Sequence, residues 1–175
     1  GVGLMVTGGF APNLRGWLKP FASRMSMPWH VRRHRQVTAA VHRHDGKICL
    51  QLLHAGRYAF HPLSVAPSKL KSPINPFTPS ALSARGIERH INDFAIAAKR
   101  ARDAGYDGVE IMGSEGYLLN EFTTARANQR TDAWGGDAAK RMRFAVEIVR
   151  RVREACGPDF ILIYRLSLLD LVEGG

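Results

Sequence analysis

Short apolar segments alternate with long amphipathic segments along the whole chain, and this alternation restricts the possible folds more than any other feature. Strand and helix patterns in strict succession predict βαβ units, in which helices connect neighbouring strands of a parallel sheet. The predicted strands are residues 4–7, 47–53, 108–112 and 161–165, and the predicted helices are residues 31–44, 83–104 and 137–156.

Two of the predicted helices show a single apolar stripe, which predicts that both cover the outside of the sheet. Gly105 ends the first of them, and Gly157 with Pro158 ends the second. The stripes consist of Ile87, Ile91, Phe94, Ala98 and Ala101 in one helix and of Met142, Ala145, Val146, Val149 and Val152 in the other.

Two connections are unusually long, and each follows a predicted strand. Residues 54–82 are rich in proline, and residues 113–136 hold glycine, asparagine and threonine around a short apolar piece. Loops of this length in a compact domain are usually functional, and in parallel α/β folds the site lies at the carboxyl ends of the strands. Tyr117, which follows the strand break at Gly113, is therefore predicted to stand at the rim of an active site.

Glycine and an amide mark the ends of the first two strands. Gly8 and Gly9 would let a flat ligand approach the backbone amides, or would serve a tight turn. Strand alternation points Gln51 inward among apolar neighbours, where its amide needs a partner, either the amide edge of a ligand or the backbone. His54 and Arg57 lie just beyond and are candidates to shape the pocket or to meet an anion.

Charged residues are predicted at inward positions of the other two strands. Glu110 and Arg165 would face the interior, where a buried charge is tolerated only when it is paired, so the two are expected to be neighbours or to share a ligand. Tyr117 carries a phenol with an ordinary pKa of about 10, so it is a proton donor that stays protonated at neutral pH. A tyrosine that simply packs on its loop is the alternative.

Charge, cysteine content and hydrophobicity indicate which partners and locations to expect. The formal charge of +10 favours an anionic partner, although basic clusters on predicted helices fit solvated outer faces as well as a nucleic-acid surface. Cys49 and Cys156 have neither Cys-x-x-Cys spacing nor a histidine cluster, so no metal site or disulfide is expected. The chain lacks a signal-peptide pattern and an apolar run of the ~20 residues that span a bilayer, which predicts a soluble, cytoplasmic protein without a membrane partner.

The two ends of the sequence predict that it belongs to a longer polypeptide. The chain opens with GVGLMVTGG, without an initiator Met and with a strand already begun, and it ends in DLVEGG within a loop. At 175 residues it is long enough for one core and too short for two. Residues 1–175 are therefore expected to be part of a single domain.

Several motifs resemble the old yellow enzyme family of flavin-dependent barrels. They are QLLHAGR, DGVEIMGSEGYLLNEF, NQRTDAWGG and RMRF followed by LIYRLS, in that order along nearly the whole chain. The resemblance implies an α/β fold, the TIM (β/α)8 barrel, which binds FMN at the carboxyl face of its strands. Residues 1–175 would supply roughly strands two to five, as a partial FMN-binding barrel domain.

The resemblance also implies roles for individual residues. The backbone of Gly9 would contact the flavin, Gln51 would hydrogen-bond its pyrimidine edge, and Arg165 would lie near N1, where positive charge favours the reduced anionic flavin. Tyr117 matches the proton donor of the family. It would protonate the substrate after FMN has delivered a hydride to the distal end of a conjugated diene.

Two positions in the tyrosine motif indicate a branch of this family. Simple members carry a histidine and an asparagine or histidine where this chain has Met112 and Glu115, and that pair holds the carbonyl oxygen of the substrate. The resemblance therefore favours the 2,4-dienoyl-CoA reductase branch. In that branch Glu115 would tune or orient Tyr117 as a second catalytic residue, or would face solvent.

Basic residues near the motif are given two different roles. Arg126 would meet the acyl-CoA substrate, whose phosphates suit a positive charge, and His54 would be a second substrate contact. Arg130, in contrast, would be structural and bonded to Asp132 or to backbone.

The same resemblance implies the activity of the whole enzyme. It implies NADPH-dependent reduction of dienoyl-CoA in the β-oxidation of unsaturated fatty acids, with FAD, a 4Fe-4S cluster and the NADPH site outside these residues. An enone reductase or an amine dehydrogenase on the same barrel is the alternative within the family. A basic nucleic-acid-binding or interaction fragment is the non-enzymatic alternative, and it would leave Gln51, Tyr117 and Arg165 unexplained.

Overall fold

The computed structural model describes residues 1–169 and 171–172, so most of the end segment DLVEGG, predicted to stop within a loop, lies outside the described residues. All seven predicted strands and helices are present, with bounds that differ by at most three residues. The elements are β1 (Leu4–Phe10), α1 (His30–His42), β2 (Lys47–Leu52), β3 (Val65–Ala66), β4 (Ser80–Ala81), α2 (Ala84–Asp103), β5 (Gly108–Gly113), α3 (Leu118–Thr123), α4 (Ala138–Cys156) and β6 (Ile161–Leu166).

Strands β1, β2, β5 and β6 form one sheet in that order, and every neighbouring pair is parallel. The predicted parallel sheet is therefore confirmed. β2 and β5 lie in the centre and are buried along almost their whole length, whereas β1 and β6 are partly exposed. The short strands β3 and β4 pair separately within the first long connection.

The helices cover one face of the sheet. Leu50 and Ile111 belong to the core that the helices share with this face, and strand alternation directs the residues between them to the opposite face. On that opposite face Leu4 and Val6 of β1 are 40% and 41% exposed. This arrangement matches part of a barrel, in which the helices lie outside and the second face of the sheet lines the interior.

Helix α2 follows its predicted pattern closely. Its N-cap residue Ser83 accepts a hydrogen bond at Oγ from the backbone N–H of Gly86 at 3.1 Å, and Gly105 follows its end with a φ of +88°. The helix packs on the sheet and on α4. The predicted apolar stripe is fully buried and comprises Ile87, Ile91, Phe94, Ala98 and Ala101.

The stripe predicted for α4 is only partly correct. Val152 is buried as predicted, but Met142 and Val146 are 49% and 59% exposed. The buried face is centred instead near Phe144, whose ring lies 4.3 Å from the ring of Phe122 in α3. A large aromatic ring contributes more buried apolar area than Met or Val, and its packing turns the other two side chains toward solvent.

Three observations concern membrane-spanning helices, the cysteines and metal binding. No helix within residues 1–169 is long and apolar enough to cross a membrane. Cys49 and Cys156 are both free and buried, and burial raises the pKa of the Cys49 thiol to about 11, so this thiol is not ionised at neutral pH. Across the described ranges, no three His, Cys, Asp or Glu side chains are placed to hold a metal ion.

Gly108 begins β5 where this strand meets both of its neighbours. A Cβ atom at this position would lie 2.3 Å from the carbonyl oxygen of Ile161 and 2.8 Å from Sγ of Cys49. We expect Gly108→Ala to lower the free energy of unfolding by about 2 kcal/mol or more, because the added carbon overpacks the junction of β5 with β6.

Urea unfolding checks this expectation. Gly3→Ala is the control, because no atom lies within 4 Å of a Cβ atom at Gly3. Equal unfolding free energies for the two variants would contradict the role of Gly108 in strand packing.

Candidate active site

A row of three residues crosses the sheet toward the carboxyl ends of its strands. Gly9 of β1, Gln51 of β2 and Glu110 of β5 occupy one row across the sheet, because Gly9 pairs with Gln51 and Gln51 pairs with Glu110. An irregularity between Val6 and Gly9 adds a residue to β1 and brings Gly9 into this row. Parallel α/β proteins bind their ligands at this end of the sheet.

Gln51 and Glu110 form a buried side-chain pair. The Nε2 group of Gln51 donates a hydrogen bond to Oε1 of Glu110 at 2.7 Å, and the two side chains are only 9% and 8% exposed. In the structure the amide of Gln51 is bonded to the side chain of Glu110. The sequence had predicted a ligand or the backbone as the partner of this amide. The amide has a second N–H and an acceptor oxygen for further hydrogen bonds.

Gly9 lies directly against this pair. A Cβ atom at Gly9 would lie 2.8 Å from Cβ of Leu53 and 3.1 Å from Oε1 of Gln51. Any side chain at this position would press on Leu53 or displace the amide of Gln51. Because glycine has none, the exposed backbone at the end of β1 forms a flat surface beside the amide.

Arg165 pairs with Glu115 and not with Glu110. Nη2 of Arg165 lies 2.9 Å from Oε1 of Glu115, and the two side chains are 52% and 50% exposed. The predicted Glu110–Arg165 ion pair is therefore wrong, because β6 places Arg165 opposite Met112 and places Ile163 opposite Glu110. That the two charges share a ligand stays a prediction. An exposed ion pair of this kind contributes about 0–1 kcal/mol, so its main effect is to orient the guanidinium.

A tight turn with two left-handed residues carries the chain from β5 to Tyr117. Glu115 has a φ of +63° and Gly116 has a φ of +76°. Glycine is required at position 116, because a Cβ atom there would lie 2.5 Å from Cε2 of Tyr58. The left-handed conformation of Glu115 costs about 1–2 kcal/mol, and a hydrogen bond from its backbone N–H to Oγ of Ser167, at 3.2 Å, offsets part of this cost.

The phenol of Tyr117 is half-buried at the start of α3. Tyr117 is the N-cap residue of α3, and its ring meets the ring of Tyr58 edge to face, with centroids 6.1 Å apart. Burial first, and then the charges of Glu115 and Tyr58, raise the pKa of Tyr117 above its ordinary value of 10.0. The phenol therefore stays protonated across the neutral range and is a loaded proton donor.

His54 lies inside the fold and has no exposed surface. Its Nδ1 accepts a hydrogen bond from the backbone N–H of Gly56 at 3.2 Å, and its ring lies 5.1 Å from the ring of His90 in α2. The predicted substrate contact by His54 is at odds with this burial. Alternation along the chain directs residue 54 to the helix side of the sheet, together with Leu50 and Leu52.

Arg126 lines an open cleft of about 900 Å³ between the loop after β5 and the connection after β2. Arg57 and Lys71 also line this cleft, which we call the basic cleft, and the acidic residues at its wall are Glu115 and Glu121. Three basic side chains at one opening suit a ligand that carries phosphate or carboxylate groups.

Arg130 is structural, as predicted. Its Nε and Nη2 groups donate to the two carboxylate oxygens of Asp132 at 3.0 Å and 2.5 Å. Its Nη1 group donates to the backbone carbonyl oxygens of Pro67 and Leu82 at 2.9 Å and 2.5 Å. One side chain thereby ties the loop after β5 to the long connection after β2.

Two neighbours of Tyr117 were not predicted from the sequence. Tyr58 packs against both Tyr117 and Gly116. Glu121 lies one turn of α3 after Tyr117, is 1% exposed, and accepts a hydrogen bond at Oε1 from the backbone N–H of Arg57 at 2.8 Å. The available signal was an acidic residue inside the apolar run LLNEF, because acidic side chains are rarely fully buried.

Comparison with known proteins decides the family. Residues 1–175 match the NADH:flavin oxidoreductase / NADH oxidase family. The chain belongs to this family. It is 44% identical over 144 residues to a metal reductase of Desulforamulus reducens, which covers 80% of this chain and 22% of that protein. It is 33% identical over 181 residues to the NADPH dehydrogenase of Halalkalibacterium halodurans, which covers 99% of this chain and 51% of that protein.

Solved structures of this flavin oxidoreductase family share the fold. Morphinone reductase in complex with tetrahydroNAD superimposes with a TM-score of 0.89 at 30% identity, over 96% of this chain and 52% of that chain. The old yellow enzyme homologue from Zymomonas mobilis gives a TM-score of 0.84 at 28% identity, over 92% of this chain and 49% of that chain. The predicted old yellow enzyme family and the partial TIM barrel are confirmed, and the chain spans about half the length of these barrels.

The burial of His54 makes this flavin oxidoreductase chain sensitive to acid. Burial, with His90 and His61 nearby, lowers the pKa of His54 well below 6.5 in the folded state. Below pH 6.5 the unfolded chain therefore binds a proton that the folded chain does not, and stability falls as the pH falls. We expect His54 to account for up to about 2 kcal/mol of the stability lost between pH 7 and pH 5, the limit set by the ordinary pKa of 6.5 in the unfolded chain.

Urea unfolding of His54→Asn at both pH values measures this contribution, because the amide oxygen of Asn can replace Nδ1 as an acceptor. The loss between pH 7 and pH 5 should be smaller than in the parent protein, by up to about 2 kcal/mol. His44→Asn, at an exposed position, is the control. A loss in His54→Asn equal to that of the control would show that His54 does not titrate differently on unfolding.

Proposed function

We propose that these residues form one half of the active site of an FMN-dependent oxidoreductase that reduces a carbon–carbon double bond conjugated with a carbonyl group. The observation that carries the proposal is the protonated phenol of Tyr117 at the same end of the sheet as the Gly9–Gln51–Glu110 row. The relatives support this class of reaction, since they include an NADPH dehydrogenase and a multifunctional alkene reductase/demethylase of Caballeronia cordobensis.

The residues at the strand ends fit a flavin ring. The backbone at Gly9 is exposed and can contact a flat ring, and glycine is needed there because a side chain would clash with Leu53. The amide of Gln51 has both donors and an acceptor, which complement the mixed donors and acceptors on the pyrimidine edge of a flavin. The half-exposed guanidinium of Arg165, oriented by Glu115, supplies a positive charge that favours reduced anionic flavin.

The contribution of this chain to the reaction is the proton. FMN, when bound, supplies the hydride, and a nicotinamide coenzyme is the proposed source of the electrons. Tyr117 keeps its proton at Oη in the resting state because its pKa is raised, and it donates that proton only when basic charge develops on the substrate beside it. Tyr58 fixes the orientation of the ring, and Glu115 opposes ionisation of the phenol.

Met112 and Glu115 support a narrower proposal, in which the substrate is a 2,4-dienoyl-CoA. Met112 is 3% exposed and presents only a thioether, and the carboxylate of Glu115 is engaged by Arg165. Neither offers the N–H donor that would hold a ketone oxygen. The basic cleft, with Arg126 as the proposed substrate contact, adds positive charge that suits the phosphates of coenzyme A.

The proposed whole enzyme takes electrons from NADPH through FAD and a 4Fe-4S cluster outside these residues and acts in the β-oxidation of unsaturated fatty acids. Support comes from the metal reductase and from the NADH oxidase of Thermoanaerobacter brockii, which is 39% identical over 145 residues. The match covers only 22% of each of these proteins, so both extend well beyond the matched segment.

A second candidate is oxidation of an amine or reduction of a simple enone at the same site. The N,N-dimethylglycine/sarcosine dehydrogenase of Chromohalobacter salexigens favours it, with 32% identity over 175 residues, 95% of this chain and 25% of that protein. Turnover of a 2,4-dienoyl-CoA, a cyclic enone and dimethylglycine by the full-length protein separates these reactions. Activity on the enone or the amine without activity on the dienoyl-CoA would exclude the narrower proposal.

Flavin binding tests the proposed cofactor residues. Titration of FMN into the protein should quench flavin fluorescence in a saturable way, and the double variant Gln51→Ala, Arg165→Ala should lose this saturation, because it removes both polar contacts with the ring. The matched control is Gln36→Ala, Arg43→Ala, at exposed positions in and just after α1. Equal affinities of the two double variants would refute the assignment of Gln51 and Arg165.

The proton donor is tested by Tyr117→Phe. We expect kcat for reduction of the conjugated substrate to fall by about 10²–10⁴-fold, the usual contribution of a positioned general acid, with FMN affinity unchanged. Tyr106→Phe is the control for loss of a phenol, since Tyr106 hydrogen-bonds to His34 away from this end of the sheet. A Tyr117→Phe enzyme with normal kcat would show that another group delivers the proton.

A further inference from the structure

We propose that Glu121 is a positioning residue for Tyr117. Its buried carboxyl group fastens the turn that carries Tyr58 to the helix that begins at Tyr117, so that its protonation state controls how firmly the proton donor is held. The catalytic consequence rests on the proposed function, whereas the structural part stands on the contacts of these residues alone.

The first half of this link joins α3 to the turn Gly56–Tyr58. Glu121 lies on α3, where its backbone N–H donates to the carbonyl oxygen of Tyr117 at 2.9 Å. Its Oε1 accepts a hydrogen bond from the backbone N–H of Arg57 at 2.8 Å. Gly56 has a φ of +61°, and a Cβ atom there would lie 2.1 Å from Oε1 of Glu121. The turn is therefore packed directly on the carboxyl group.

The second half of the link returns from the turn to Tyr117. Tyr58 ends the turn, and its ring stands at 80° to the ring of Tyr117, with centroids 6.1 Å apart. The same ring leaves no room for a side chain at Gly116, the residue before Tyr117. Tyr58 thus contacts the proton donor and the residue before it. A movement of the carboxyl group of Glu121 is transmitted to both through the turn.

The surroundings of the carboxyl group favour its neutral form. Glu121 is 1% exposed, and Oε2 has no hydrogen-bond partner in the part of the chain that the structure describes. Burial raises the pKa of Glu121 to about 8, although the backbone N–H and the charge of Arg57 act in the opposite direction. The charged or titratable groups on neighbouring elements are Arg57, Tyr58, Lys71, Glu115, Tyr117, Arg126 and Arg141.

Ionisation of Glu121 weakens the link. At neutral pH the acid is mainly protonated, and the turn stays packed on it. As the pH rises through about 8, a charge forms at a buried site where one oxygen lacks a partner, which destabilises the packed arrangement. This happens below the pH at which Tyr117 loses its own proton, because its pKa is raised above 10.0.

Kinetics of the full-length FMN-bound enzyme test the catalytic part. In the parent enzyme, kcat for the conjugated substrate should fall as the pH rises through about 8. Glu121→Gln should move this fall upward by at least one pH unit, because an amide keeps the acceptor oxygen and does not ionise. Glu121→Ala should lower kcat at pH 7 about ten-fold with a smaller effect on KM, and Glu121→Gln should recover most of that loss.

A spectroscopic experiment tests the structural part without turnover. NMR of the protein labelled with ¹³C at the tyrosine Cζ atoms reports the environments of Tyr58 and Tyr117, which are assigned with Tyr→Phe variants. Both signals should shift with a midpoint near pH 8 in the parent protein and should not shift in Glu121→Gln.

A second kinetic variant tests the other end of the link. Tyr58→Leu, which removes the edge contact with Tyr117, should reproduce the kinetic effect of Glu121→Ala.

The kinetic and NMR measurements together distinguish the positioning role of Glu121 from the proposed function. A pH-dependent NMR shift that is lost in Glu121→Gln, in a protein that reduces no conjugated substrate, would leave the positioning role intact and overturn the proposed function. A parent enzyme and a Glu121→Gln enzyme with the same pH profile would overturn the positioning role. A pH-dependent NMR shift that persists in Glu121→Gln would do the same.

Discussion

The pairing of β2 with β5 in the middle of the sheet is the constraint on which the rest of the structure depends. Both strands are buried on both faces, and their register places Gln51 opposite Glu110. The hydrogen bond between these side chains satisfies an oxygen of the buried Glu110 on the inner face of the sheet. A slip of one residue would turn every inward side chain of one strand to the helix side.

The three acidic residues of the candidate site have different surroundings. Glu110 lies in the interior and accepts a hydrogen bond from an amide, Glu115 is half-exposed and paired with Arg165, and Glu121 is buried and protonated at neutral pH. Burial rather than any single charge is the largest cause of the raised pKa of Tyr117. At this end of the sheet, burial therefore keeps Tyr117 and Glu121 protonated at neutral pH.

Several features of the site were predictable from local sequence. Alternation along β2 predicted that Gln51 points inward, and the break after β5 predicted that Tyr117 stands at the end of the sheet. Arg130 was expected to bond to Asp132 or to backbone, and it does both. His54, predicted as a substrate contact, is buried in the structure, because the same alternation that turns Gln51 inward turns a residue three positions later to the helix side.

The partners of the charged residues were not predictable, because they depend on register between segments far apart in the sequence. Arg165 pairs with Glu115 through the turn after β5, whereas inward alternation alone suggested Glu110. The carboxyl group of Glu121 is covered by the turn Gly56–Tyr58, more than sixty residues earlier in the sequence. In α4 the predicted stripe left out Phe144, whose ring packs on Phe122 of α3 and lies at the centre of the buried face.

Local periodicity and short motifs were sufficient to predict the succession of strands and helices, the parallel sheet, the family, the inward position of Gln51 and the place of Tyr117 at the end of the sheet. The ion pair of Glu115 with Arg165, the burial of His54 and the protonated state of Glu121 became known only from the tertiary structure. These outcomes depend on desolvation and on distances between segments that are remote in the sequence, and no local pattern contains either quantity.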